Sequence, residues 1–377
     1  MRARRPSLFL SFAVDHSLAL PFSAAVALVW ANTFPRSYTT LASALEFPVN
    51  QIGMAFFFGL AAKVVVEATA PGGALHTWRR AALPVIAACG GMAAPALLYM
   101  IIVRATDADA LVRGWAIPCA TDVAFSYMIA KAVFRRHPAI PFLLLLAVAD
   151  DALGLVVLVL FYPSRELRLL LGGLLLAAAV ITALGLRKAR VRGFWPYLAI
   201  SGTLSWAGLF AGGLHPALAL VPVVSFMPHA ARDHGLFVET PGARDTLNQF
   251  EHAWKVPVQV VLFLFGLVNA GVPLRVYGLA TWAVLVAILA GKPIGIVVAV
   301  LIAIAAGFQL PHRFGRADLV VVGCAAGIGF TVALFFATAA FPPGVILDQA
   351  KLGAMLSVSG ALITLAAAAI LKVGRFN

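Results

Sequence analysis

PFLLLLAVADDALGLVVLVLFYP, residues 141–163, sets two adjacent carboxylates, Asp150 and Asp151, in the middle of an otherwise uncharged apolar run. A run of this length is what an α-helix needs to cross the roughly 30 Å hydrocarbon layer of a bilayer. An ionised side chain at that depth costs at least about 2.5–3.5 kcal/mol on insertion scales, so it must be paired, face water, or serve a function. With roughly ten apolar residues on each side, neither acid reaches a headgroup by snorkelling.

Outward from this segment the chain keeps the same character. Of 377 residues, 62% are hydrophobic and 11% charged, and the mean hydropathy is +0.97, which leaves too little polar surface to cover a water-soluble globule. Apolar runs separated by charged or Pro/Gly-containing breaks predict an all-α polytopic membrane protein of about twelve transmembrane helices, one integral domain over residues 1–377. The expected centres lie in 17–32, 52–68, 81–103, 115–132, 138–161, 169–186, 194–211, 214–228, 256–272, 279–305, 319–340 and 352–371.

The net charge of +13 raises nucleic-acid binding, but the basic residues sit in short loops on alternate sides of these spans rather than in one stripe. Eighteen of the 28 fall on the side that holds both termini, seven on the other and three, Lys63, Lys131 and Lys292, within spans. The positive-inside rule then makes both termini cytoplasmic. Met1–Val14 has the basic-then-apolar look of a signal peptide, but Asp15 and His16 interrupt it, and it reads as uncleaved. Cys89, Cys119 and Cys324 show neither disulfide nor zinc spacing and read as packing residues.

Two spans are interrupted. In GWAIPCATDVAF, Gly114–Phe125, Pro118 removes a backbone hydrogen bond and Asp122 follows near mid-depth. In GCAAGIGF, Gly323–Phe330, followed by Thr331, Gly323 and Gly327 suit a close helix contact while Gly329 favours an opened backbone. A pair of Gly/Pro-interrupted spans in the two halves of a membrane protein points to a transporter site, because broken helices aim their ends at a midplane ion.

Neighbouring residues on a helix point about 100° apart, so Asp150 and Asp151 cannot both face one partner. One pairs with a fixed cation while the other faces a cavity. Lys292, in GKPIG, is the deep cation, and Pro293 loosens its helix, which predicts a Lys292–Asp150 pair. Desolvation and like-charge repulsion disfavour two ionised acids side by side, so protons or a cation must neutralise them in turn. Oxygen ligands without thiols or imidazole pairs suit sodium or lithium, with the Thr121 hydroxyl as a further ligand. Asp122 reads either as the charge that neutralises half-helix N-termini or as a buried structural cap. Lys63 and Glu67, at i and i+4, satisfy each other, and Lys131 snorkels.

The strings ATDVAF (Ala120–Phe125), AVADDALG (Ala147–Gly154), GKPIG (Gly291–Gly295) and GIGFT (Gly327–Thr331) closely resemble, in content and order, the bacterial NhaA-type sodium/proton antiporters. GGLHPALA (Gly212–Ala219), EHAW (Glu251–Trp254) and NAGVPL (Asn269–Leu274) extend the resemblance over most of the chain. It implies twelve helices in an inverted repeat with crossed, unwound helices four and eleven, known properties of that family. It implies a secondary active, electrogenic antiporter of the bacterial inner membrane, not an enzyme. No cofactor is implied beyond the transported sodium or lithium, and the partners are sodium, protons and lipid. Carried over, Asp151 is the ion-binding carboxylate, Asp150 the partner of Lys292, and Asp122, Thr121, Gly327, Gly329 and Thr331 support the unwound crossing. His234, Glu251 and His252 match the contexts of pH regulation. Ala61 and Val65 depart from the resemblance, standing where family members usually carry glutamates, so the pH profile stays open. The short Thr33–Asn50 connection lacks the length of the family's β-hairpin, so a homodimer stays open too.

The alternative within the same fold is a sodium- or proton-coupled solute symporter, which needs a polar, aromatic-lined cavity beside the acids. An intramembrane hydrolase or sensor fits less well, since two catalytic aspartates converge from separate helices whereas adjacent ones diverge.

Overall fold

The computed structural model describes residues 19–73, 75–76, 78–135, 137–229 and 245–376, and His234 lies outside them. Every regular element among the described residues is helical. The α-helices are α1 Ala19–Thr33, α2 Pro35–Phe47, α3 Met54–Thr69, α4 Trp78–Ala105, α5 Val123–Phe134, α6 Ala139–Phe161, α7 Leu169–Lys188 and α8 Thr203–Gly212. They continue with α9 Leu220–Val224, α10 Thr246–Asn269, α11 Leu279–Val286, α12 Lys292–Ala305, α13 Arg316–Ala326, α14 Phe330–Ala340, α15 Val345–Leu356 and α16 Gly360–Ile370. By length and apolar composition, seven helical segments among the described residues can cross a bilayer, or nine when each of two bent pairs counts as one. α8 and α9 fall below spanning length on their own, with 10 and 5 residues, and α1 is described over 15 residues from Ala19.

Proline shapes three of the long segments. α2 runs into α3 through a widened π turn at Pro48–Gly53, a second at Tyr197–Gly202 follows Pro196 into α8, and a third at Ala287–Gly291 joins α11 to α12. At the third, Pro293 has no N–H for the Leu289 carbonyl and its ring would collide with that oxygen, so the turn before it opens. The opened turn ends at Lys292.

The stretch read from sequence as a short Thr33–Asn50 connection folds as α2. Pro35 takes the first helical position, where a missing N–H leaves nothing unpaired. Thr39, Thr40 and Ser43 then donate their hydroxyls back to the carbonyls of Pro35, Arg36 and Thr40. Tyr38 ties this helix to the end of α10, donating to Val268 O at 2.9 Å and accepting from Gly271 N at 3.0 Å.

The two interrupted spans are bent where expected. A 3-10 helix, Asp109–Cys119, and α5 meet at 50° across Ala120–Asp122, and α13 and α14 meet at 49° across Gly327–Gly329. Gly323 and Gly327 also serve the packing read from their spacing: a Cβ at Gly323 would lie 3.2 Å from Pro293 Cα, and one at Gly327 3.4 Å from Ile288 O. Of the cysteines, Cys119 is buried, Cys324 half-buried and Cys89 exposed, so Cys89 corrects the reading of all three as packing residues. It sits on an outward face of α4. Lys131 is exposed and reaches over the Tyr127 ring at 5.7 Å.

The most extensive helix pair is α4 with α12. Glycines let the two backbones touch: a Cβ at Gly295 would lie 2.6 Å from Ala94 Cβ and would also strike the Gly90 carbonyl, and one at Gly291 would lie 2.7 Å from Pro95 Cα. This contact seats Lys292. Overpacking of a tight contact costs about 1–3 kcal/mol, so Gly295→Ala is expected to lower the thermal unfolding midpoint of the detergent-solubilised protein by several degrees, and an unchanged midpoint would contradict this packing.

Candidate functional site

α6 carries both acids in a regular helix of 23 residues. Asp150 points at Lys292: Nζ lies 2.8 Å from Oδ2, with the two side chains 0% and 2% exposed. Lys292 Nζ also donates to the Cys119 carbonyl, the last of the 3-10 half-helix. One cation therefore pairs a carboxylate and offsets the negative end of a helix dipole. The second carboxylate oxygen, Asp150 Oδ1, is buried without a hydrogen-bond partner.

Asp150 and Asp151 line a partly open cavity with about 490 Å³ of empty space, completed by Cys119 and Ala120 and otherwise by apolar groups, including Phe57, Phe58, Ala61 and Phe336. Asp151 is half-buried at its wall. The expected division therefore appears, with one acid on the lysine and its neighbour toward open space.

The two breaks meet beside the pair. Asp122 N donates to Ile328 O at 2.6 Å, and Thr121 Oγ1 donates to Ala326 O at 3.2 Å. The Asp122 carboxylate serves two helix starts: Oδ1 accepts from Phe125 N of α5 at 3.2 Å, and Oδ2 accepts from Thr331 N of α14 at 3.2 Å and from the Thr331 hydroxyl. A negative group at two N-termini at once is what converging dipoles require in a medium without water. Gly329 must be glycine for the breaks to touch, since a Cβ there would lie 2.7 Å from Ala120 O.

Three contacts escaped sequence reading. Ser126 Oγ donates to Ala325 O at 2.8 Å, Gly329 N donates to Ser357 Oγ at 3.3 Å, and Lys292 takes the backbone oxygen of Cys119. A backbone acceptor carries no side-chain signal, and serine 199 or 28 positions from its partner shows none either. Two of the candidate pH residues are described. Glu251 binds Lys63 at 2.6 Å, sharing it with Glu67 at the same distance, and His252 is exposed on α10. Lys63–Glu67 is thus paired as read, with Glu251 added.

A helical membrane domain in which two broken helices meet beside an acid pair and its buried lysine is the architecture of ion-coupled secondary transporters. The chain belongs to the Na+/H+ antiporter 1 family, whose model matches residues 8–371. It is similar to Na(+)/H(+) antiporter NhaA 2 of Pelobacter propionicus, 43% identical over 373 residues, or 96% of this chain and 98% of that one. It is equally similar to Na(+)/H(+) antiporter NhaA of Geobacter metallireducens, 43% identical over 375 residues, 96% and 97% of the two chains. The sodium proton antiporter MjNhaP1 of Methanocaldococcus jannaschii aligns in structure with a TM-score of 0.51 over 97% of this chain and 95% of that one. At 13% identity that likeness is one of fold.

Removing Asp122 would strip both helix starts, and a lost cap costs about 1–2 kcal/mol. Asp122→Ala is expected to lower the unfolding midpoint in detergent further than Asp122→Asn, which keeps an acceptor oxygen; equal midpoints for the two variants and wild type would contradict the double-cap geometry.

Proposed function

We propose that the protein is a secondary active antiporter that exports sodium, or lithium, in exchange for protons by alternating access, and so serves pH and sodium homeostasis. The observation that carries this reading is the division of the acid pair: Lys292 holds one oxygen of Asp150, whose other oxygen is buried without a partner, while Asp151 lines the cavity without a fixed cation. A carboxylate in that position is neutralised by whichever small cation reaches it, a proton or a sodium ion. Asp151 is the carrier, and Asp150 joins when it leaves Lys292. Thr121, the further ligand read from sequence, is fully buried with its hydroxyl on Ala326 O and is not among the residues that line the cavity.

Charge bookkeeping then favours electrogenic exchange. With sodium bound, Asp150, Asp151, Lys292 and the ion sum to zero; with a proton on each acid and none lost from Lys292, the site carries +1. Two protons per sodium would thus move one net charge, worth about 2.3 kcal/mol per 100 mV of membrane potential.

We assign twelve spans in an inverted repeat, with the bends of 50° and 49° as its crossed, unwound helices. Both termini would face the cytoplasm of a bacterial inner membrane, supported by the excess of basic residues on that side. Glu251 and His252, with His234, are our candidates for pH control, since a histidine titrates in the relevant range. A solute symporter is less well supported, because apart from the acids and Cys119 the cavity has an apolar lining and specific solute binding takes convergent polar groups.

In proteoliposomes, sodium-driven proton flux is expected in wild type and not in Asp151→Asn; undiminished flux in that variant would remove Asp151 as carrier. Protons and sodium compete for the same oxygens, so the apparent KM for sodium should rise as pH falls, by up to about tenfold per unit for each competing proton. Flux titrations at pH 6.5–8.5 test this, and a KM independent of pH would exclude a shared site.

A further inference from the structure

The half-helix Asp109–Cys119 runs for 11 residues in 3-10 geometry, a form that usually ends after three or four because its hydrogen bonds are poorly aligned. Side chains from outside hold it. Tyr162, buried at the end of α6, places its hydroxyl between Arg113 and Ala116, donating to Arg113 O at 2.7 Å and accepting from Ala116 N at 3.3 Å. Those groups are i and i+3, the pair that an unassisted 3-10 turn joins directly. Tyr99 of α4 supports the same half-helix further from the acids, donating to Leu111 O at 2.9 Å.

We propose that Tyr162 is a positioning residue for ion exchange: its hydroxyl, wedged into the ladder at Arg113 and Ala116, keeps the half-helix extended so that the Cys119 carbonyl meets Lys292. The length matters. A 3-10 helix rises about 2.0 Å per residue and an α-helix 1.5 Å, so relaxing this run into an α-helix would shorten it by roughly 5 Å. Such a shift withdraws the carbonyl from Lys292, leaving the ammonium to Asp150 alone and raising the hold that sodium must compete with. Tyr162 directly follows the helix that carries both acids, and its ring packs edge-on against Phe336 of α14 at 5.7 Å. The hydroxyl thereby references the half-helix to the acids and to the second broken span at once.

The role in transport rests on the exchange reading, whereas the hold on the half-helix does not, and two measurements separate them. The first is sodium-dependent proton flux in proteoliposomes for wild type, Tyr162→Phe and Tyr99→Phe. The second is the rate at which N-ethylmaleimide alkylates Cys119 in the full-length detergent-purified protein, with Cys89 and Cys324 replaced by serine. Tyr162→Phe keeps the ring and loses only the hydroxyl. It is expected to raise the apparent KM for sodium about fivefold, the worth of one hydrogen bond, with turnover changed less than about twofold, and to accelerate alkylation of Cys119. Tyr99→Phe should move both readouts less. An unchanged alkylation rate in Tyr162→Phe overturns the hold whatever the flux does. Faster alkylation with an unchanged KM, or equal effects of the two variants, overturns the positioning role. A wild type without sodium-dependent flux would overturn the exchange reading and the transport role resting on it, while the alkylation rates would still judge the hold.

Discussion

Opening two helices inside a membrane frees backbone groups where no bulk water can pair them, and each unpaired group costs several kcal/mol. The centre of this protein is arranged around that constraint. The positive starts of α5 and α14 converge on one carboxylate, Asp122, and the negative end of the 3-10 half-helix meets one ammonium, Lys292. Carbonyls at the end of α13 are taken by hydroxyls of Thr121 and Ser126, and the Gly329 N–H by Ser357. These partners, drawn from other elements, are what let the breaks persist. The same partners place a carboxylate and an ammonium at mid-depth, where the proposed exchange needs them.

A contrast in stiffness follows. α6 is regular through both acids, so the side chains of Asp150 and Asp151 leave the helix about 100° apart and Lys292 pairs with one of them. The elements facing it are irregular: a widened turn ends at Lys292, and the chain is non-helical at Ala120–Asp122 and Gly327–Gly329. Glycines at 323, 327 and 329 bring the second broken span within backbone contact of Pro293, Ile288 and Ala120 in the other irregular segments.

Nearer the other end of α3, Lys63 holds Glu67 and Glu251 together, joining α3 to α10 through charge. Ala61, two residues earlier, lines the acid cavity with a methyl group. Two positions on one helix thus divide the work, one closing a wall of the cavity and the other fastening that wall to its neighbour.

The sequence by itself determined that the chain lives in lipid, that two of its spans are interrupted, and which charges lie too deep to be incidental. These follow from local rules: apolar length, the missing N–H of proline, and the cost of a charge in hydrocarbon. It also predicted the Lys292–Asp150 pair, because within its deep segments only one cation was free to balance two acids. Tertiary structure decided the rest. Sequence read α2 as a connection because its apolar signal is weak, yet Tyr38 and the hydroxyls of its own first turns make it a helix. Nothing in ATDVAF says that Asp122 caps a helix more than 200 residues away, nor that Cys119 offers its carbonyl to Lys292, nor that Glu251 reaches Lys63. Such partnerships depend on which backbone ends converge in space, and convergence is set by the packing of the whole helical assembly rather than by any residue's neighbours in the chain.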